Sequence, residues 1–183
     1  MAESKVHFNL KNVHYAVRTS GGAGSVVAVP GAISLDLTPQ GESTILYADG
    51  IAYYKTQSNQ GYSGDLEMAR FPDQMRQDIW NTKIQSTDKT LYELASAEPA
   101  VFDLGFQIDG DAQERLVWLY GCTATRPNIN AATVTETKEV QTETTTITSS
   151  PLANGLTWSM TTDQTTTATR AAWFSAVYEP TIS

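Results

Sequence analysis

The stretch Gly61-Tyr-Ser-Gly-Asp-Leu-Glu-Met-Ala-Arg-Phe-Pro-Asp-Gln-Met-Arg-Gln-Asp-Ile-Trp80 changes its hydrophobic period halfway along. In its first half Tyr62, Leu66 and Met68 point one way and Ser63, Asp65 and Glu67 the other, the period of a half-buried strand. In its second half Phe71, Met75 and Ile79 fall four apart. Pro72 suits the first turn of a helix, where its missing N–H has no partner to lose, and Asp73 places a carboxylate at the positive end of the helix dipole. This predicts a helix over 72–80, with no second helical pattern in the chain. The fold class is therefore mainly β (α+β): two packed antiparallel β-sheets, sandwich- or barrel-like, with one flanking α-helix laid across an end or face.

Outward from that stretch the remaining strands read as follows. Val6, Phe8 and Leu10, then Val13, Tyr15 and Val17, form a first strand with a bulge at Asn12. Residues 19–25 form a Gly-rich turn, and Ile33, Leu35 and Leu37 alternate with Ser34, Asp36 and Thr38. Phe102, Leu104, Phe106 and Ile108 alternate with polar residues, turn at Asp109–Gln113 and return through Arg115–Thr125, apolar on both faces as a central strand is. Between Thr133 and Thr169, 18 of 37 residues are Ser or Thr. Thr is a good strand former, so strands are expected over 142–149 and 156–161, a surface loop over 162–169 and a last strand over 172–178.

Residues 43–60 fit neither a solvated linker nor a single strand. They hold Ile45, Leu46, Tyr47, Ile51, Tyr53 and Tyr54, interrupted by Asp49-Gly50 and closed by a polar run. A long excursion so rich in aromatics is expected to be a projecting hairpin or arm that packs against something outside its own domain. A single domain over 1–183 is expected.

The net charge is −8, and residues 61–125 carry most of it with eleven acids against five bases. No basic stripe exists to grip nucleic acid. No window of eighteen apolar residues is present, so no membrane-spanning helix is expected, and the N-terminal residues lack the apolar core of a signal peptide. The single cysteine, Cys122, excludes an internal disulfide and reads as a buried thiol. His7 and His14 are the only histidines, and with Cys122 far off they make no metal-ligand spacing. The carboxylate pairs Asp65/Glu67 and Asp109/Asp111 share strand faces, but solvated faces carry such pairs routinely. No nucleophile elbow or phosphate loop is present. The expectation is no enzyme, no cofactor and no metal.

Several stretches resemble one family in register: Val6-His-Phe-Asn-Leu-Lys-Asn-Val-His-Tyr15, Pro30-Gly-Ala-Ile-Ser-Leu35, Tyr47-Ala-Asp-Gly-Ile-Ala-Tyr-Tyr54, Ser58-Asn-Gln-Gly-Tyr-Ser-Gly-Asp-Leu-Glu67, Phe71-Pro-Asp73, Tyr120-Gly-Cys-Thr-Ala-Thr-Arg-Pro127 and Gln141-Thr-Glu-Thr-Thr-Thr-Ile-Thr148. Over nearly its whole length the chain resembles the major tail proteins of long-tailed phages with non-contractile tails, the tail-tube subunits of the phi13-like type. Some members add a C-terminal immunoglobulin-like domain, which is not expected here.

The resemblance implies rings, usually of six subunits, stacked into a virion tail tube assembled in the host bacterial cytoplasm. The implied partners are the chain itself, a tape-measure protein, tail terminator and distal tail proteins, and genomic DNA in transit without tight binding. On that reading Tyr47, Asp49, Tyr53, Tyr54, Gln57 and Asn59 are the inter-subunit contact candidates. Asp36, Asp65 and Glu67 are the candidates for the channel wall. The inner tube of a contractile injection or secretion system is the alternative of the same class, and a carbohydrate-binding β-sandwich or adhesin the alternative of another.

Overall fold

In the computed structural model, residues 4–133 and 139–182 are described; the part of the Thr-rich run over 134–138 lies outside them. The chain is mainly antiparallel β. Its elements are β1 (His7–Thr19), β2 (Gly22–Ala28), β3 (Ala32–Gln40), β4 (Ser43–Ala48), β5 (Ile51–Gln57), β6 (Gly61–Met68), α1 (Asp73–Trp80), β7 (Lys83–Ile84), β8 (Leu91–Tyr92), β9 (Phe102–Gly110), β10 (Arg115–Ala124), β11 (Glu143–Ser149), β12 (Trp158–Met160) and α2 (Thr167–Ala172).

Eight strands form one sheet in the order β2-β1-β9-β10-β11-β6-β3, with β12 paired to β10 beside β11. β1 and β3, far apart in that order, touch each other, so the sheet curls and its two halves face across a core. This is the barrel-like form of the expected packed sheets. Alternation does the sorting. Val13 and Tyr15, Leu66 and Met68, Phe102, Leu104 and Phe106, Val117 and Leu119, and Ile147 all point into one buried cluster. The expected hairpin partners β9 and β10 are its centre, although Ile108 is only partly buried.

α1 lies across the end of the sheet where β6 stops. Phe71, Met75, Ile79 and Trp80 join the core cluster, and the rings of Phe71 and Trp80 meet edge to face at 5.3 Å. Polar ties fix its position. The Glu143 carboxylate accepts from the Phe71 N–H and from Arg76, each at 2.7 Å. Tyr15 donates to Asp78 at 2.6 Å, and Trp80 Nε1 donates to the Thr125 carbonyl at 2.7 Å. Asn81 ends the helix in the left-handed conformation, which Asn tolerates better than most residues.

The sheet's outer surface is treated in two ways. Over β1, β9 and the first half of β10, Leu116, Trp118 and Tyr120 are covered by Trp173, Phe174, Val177, Leu152 and Leu156. Gly105 allows this, because a Cβ there would lie 2.8 Å from the Trp118 ring. Under the same cover Asp103, fully buried, pairs with Arg18 at 2.6 Å and accepts the Gly121 N–H, while Arg18 also holds Glu179.

Trp118 and Tyr120 are buried in this second cluster, on the opposite face from Phe106. Three expectations need correction. The Gly-rich turn shrinks to Ser20-Gly21, because β1 imposes pairing on Gly22–Ser25. The last strand over 172–178 does not form. A second helix, α2, occupies part of the expected loop and runs to Ala172: Thr166 accepts the Thr169 N–H as an N-cap, and Ala and Arg favour helix after it. Trp158 and Met160 face outward on β12, while Thr157 and Thr161 are buried.

Candidate functional site

The residues weighed for chemistry serve the fold. His14 stacks on Phe174 with ring centroids 4.4 Å apart, and His7 is exposed at the start of β1. Cys122 is fully buried, and burial pushes its thiol pKa up. Asp109 pairs with Lys11 at 2.6 Å, and that contact lowers its pKa. Asp111 accepts the Lys5 N–H at 2.8 Å. Among the described residues no group of three or more His, Cys, Asp or Glu side chains could hold a metal ion.

The three candidate wall residues are brought together. β6 lies between β3 and β11, and register sets Asp65 directly opposite Asp36 on one side and Thr146 on the other. Glu67 is opposite Ser34 and Thr144. Because all three strands bury their other face, Ser34, Asp36, Ser63, Asp65, Glu67, Thr144, Thr146 and Thr148 share the face away from the core. Thr123 of β10 extends that face beside Thr148. β3, β6 and β11 contain no Lys or Arg.

Hydroxyls order the carboxylates. Thr146 donates to Asp65 at 2.7 Å, and Glu67 accepts from Thr142 at 2.7 Å and Ser34 at 3.0 Å. The Thr142 bond, then the Ser34 bond, lowers the Glu67 pKa, so its charge persists into acid. The Thr and Ser partners were not singled out from sequence. The spacing of Thr142, Thr144, Thr146 and Thr148 was a signal, but only cross-strand register shows which carboxylates they meet.

The other candidate region is a free-standing hairpin. β4 and β5 pair only with each other, and the β3–β6 ladder ends at Gln40 opposite Gly61, where the hairpin begins. Asp49 and Gly50, at φ 52° and 77°, make the tight turn at its tip. Tyr47, Asp49, Tyr53, Tyr54, Gln57 and Asn59 are all exposed, as are Ile45, Leu46 and Ile51. Tyr53 is 72% exposed, and no arm residue enters either core cluster. Register divides the apolar residues between both faces: Ile45 and Tyr47 on one, Leu46, Ile51 and Tyr54 on the other. Asn59 is a turn residue, accepting the Gly61 N–H at 3.1 Å.

The structure thus defines a mainly antiparallel β domain with an apolar arm and an acidic, hydroxyl-rich sheet face. No protein-family model matches the chain, and no curated protein matches it. Among solved structures it is similar to a chain of an extracellular contractile injection system, the PVC sheath–tube complex in its extended state, seen by cryo-EM. The identity is 14%, the alignment covers 82% of this chain and 88% of that one, and the TM-score is 0.44.

Proposed function

We propose that this chain is a structural, non-enzymatic subunit that self-assembles into a tube: the tail tube of a long-tailed phage with a non-contractile tail. Copies close into rings of six, and rings stack around a tape-measure protein between a distal tail protein and a tail terminator. The tube is built in the bacterial cytoplasm and later passes the genome. The observation that carries the reading is the arm: a hairpin with large apolar side chains on both faces and, among the described residues, no place in either core cluster calls for a second molecule.

The acidic face supports the same reading. A wall of carboxylates and hydroxyls without a base repels passing phosphates, so DNA slides instead of sticking. Six chains of −8 each bring about −48 per ring. Screening limits the repulsion to about 8–10 Å, so the charges act on DNA that passes close to the wall.

Negative-stain microscopy of the purified protein tests the proposal. Rings or tubes are expected, and monodisperse monomers at high concentration would refute it. The channel assignment has its own test: Asp65→Lys with Glu67→Lys should still give tubes, which now retain free DNA. Tubes that ignore DNA as before would place these residues elsewhere.

A further inference from the structure

Three places in the sequence set a side-chain carboxyl or amide directly before glycine: Asp49-Gly50, Asp109-Gly110 and Asn154-Gly155. Such a pair can close on itself. The glycine backbone nitrogen attacks the side-chain carbonyl carbon, a C–N bond forms, and water leaves from Asp, or ammonia from Asn, to give a succinimide ring. Water then reopens the ring at either carbonyl. Opening on the main-chain side leaves an isoaspartyl residue, whose backbone runs through Cβ and is one methylene longer. Glycine suits the second position because it has no side chain to obstruct the attack. Ring closure also requires the backbone to leave its native torsions, so local opening decides where the folded chain reacts.

Two of the three pairs are held shut. Asp109 pairs with Lys11 at 2.6 Å and accepts from Gln107 at 2.9 Å and from Asn9 at 3.1 Å. Those contacts favour the carboxylate, which lacks the hydroxyl that must leave. Its backbone lies in the β1–β9 ladder, with Asp109 opposite Phe8 and Gly110 opposite His7. Gly155 donates its N–H to the Leu152 carbonyl at 2.8 Å, and Asn154 Oδ1 accepts the Leu156 N–H at 3.1 Å. Leu152 and Leu156 pack against the Trp118 cluster, so freeing that pair disturbs packed side chains.

The arm tip has none of these restraints. Asp49 and Gly50 are both exposed, and a Cβ on Gly50 would meet nothing within 4 Å. Among the described residues the Asp49 carboxylate has no hydrogen-bond or ion-pair partner, and the Gly50 N–H has no backbone acceptor. Only two residue pairs, Ala48–Ile51 and Tyr47–Ala52, lie between the turn and the register shift beyond them. β4 and β5 pair only with each other, so the tip opens without disturbing either core cluster. We infer that Asp49 is a site of spontaneous isoaspartate formation in the folded protein, the one of the three that the fold leaves unprotected, and that the change unzips the arm tip. A two-residue turn with φ of 52° and 77° has no room for an added main-chain atom, so Tyr47 and Ile51 lose their cross-strand partners. The inference stands apart from the tube reading, since it concerns the free chain.

The test compares the folded chain with free peptides, which removes the intrinsic difference between Asp and Asn. The purified protein and synthetic peptides over 45–54, 105–113 and 150–158 are aged side by side at neutral pH and physiological temperature. Electron-transfer fragmentation locates isoaspartate by its main-chain cleavage. Position 49 should isomerise in the protein at nearly the rate of its peptide, while positions 109 and 154 lag far behind theirs. Labelling the aged protein with an isoaspartyl methyltransferase should mark the same site, and Asp49→Ser should reduce that label to background. In the isomerised fraction the amides over 47–52 should exchange hydrogen faster, and those of β6 should exchange as before. Protection at Asp49 as strong as at Asp109, or a label that persists in Asp49→Ser, would overturn the assignment. Unchanged exchange at the tip of the isomerised protein would overturn the unzipping.

Discussion

Removing the arm tests how it relates to the domain. Gln40 and Gly61 are cross-strand partners, so their Cα atoms lie about 5 Å apart and a two-residue Asn-Gly turn can replace Gly41–Gln60. The replacement removes the β4–β5 ladder and the bonds at its base, chiefly Ser58 N–H to the Glu42 carbonyl at 3.0 Å and Gln60 N–H to the Gln40 carbonyl at 2.9 Å. It removes no side chain from either core cluster. Closing a flexible two-residue loop instead of one ten times longer lowers the entropic cost by (3/2)RT ln 10, about 2 kcal/mol. The arm is itself a hairpin, so that figure is an upper bound, and the domain should be between about 0 and 2 kcal/mol more stable. Urea denaturation measures this, and negative stain of the same sample should show no tubes. A loss of more than about 2 kcal/mol would mean that the arm packs on its own domain. Normal tubes from the shortened chain would mean that it is not the contact.

Three further outcomes follow from the geometry. Phe106→Ala, in the barrel core, should cost about 3–5 kcal/mol in urea denaturation, and an unchanged midpoint would remove β9 from the core. Cys122 should resist maleimide in the native protein and react on unfolding, since burial pushes its thiol up; native reaction at the rate of a free thiol would contradict the packing of β10. Glu67 should titrate below the ordinary glutamate range near about 4.3, and Thr142→Val should raise it, as read by carboxyl NMR. The folded group holds its proton less tightly than the unfolded one, so its contribution to stability is present above that range and is lost as pH falls through the lower folded value. A midpoint indifferent to Thr142→Val would show that the hydroxyl does not act on the carboxylate.

Legibility followed how much of each element's environment its own sequence reports. β6 and β9 have one face in the core and another kind of surface opposite, so period-2 alternation marks them. α1 carries Phe71, Met75 and Ile79 at helical spacing for the same reason. β2 does not announce itself, because its glycines have no strand preference and its partner β1 imposes the pairing. β12 misleads in the opposite direction: Trp158 and Met160 suggest an inward face, yet the residues turned inward are Thr157 and Thr161, where Thr161 Oγ1 accepts the Leu116 N–H at 3.0 Å. α2 is hidden in a Thr-rich run whose strand preference is overridden by one capping Thr. The arm was legible through its broken period. The β7–β8 pair was not, because a paired strand of two residues has no period to read.

The acidic face shows what sequence and register each contribute. Alternation in β6 puts Asp65 and Glu67 on the face away from Leu66 and Met68, and alternation in β3 does the same for Asp36. Neither pattern says that Asp36 and Asp65 stand directly across from each other, a like-charge pair that works against the sheet. The other outer face of the same sheet buries Asp103 against Arg18 and covers Trp118 with the C-terminal segment, so charge there is neutralised and apolar surface is hidden. Among the described residues β3, β6 and β11 supply no base and Asp36 and Asp65 stay exposed; hydroxyls from Thr142 and Ser34 lower the Glu67 pKa, and Thr146 donates to Asp65. A chain that pairs its buried acid so carefully and leaves these acids unpaired keeps their field directed outward. That is the property a channel wall needs toward a polyanion, and it is why the proposed tube turns this face to its lumen.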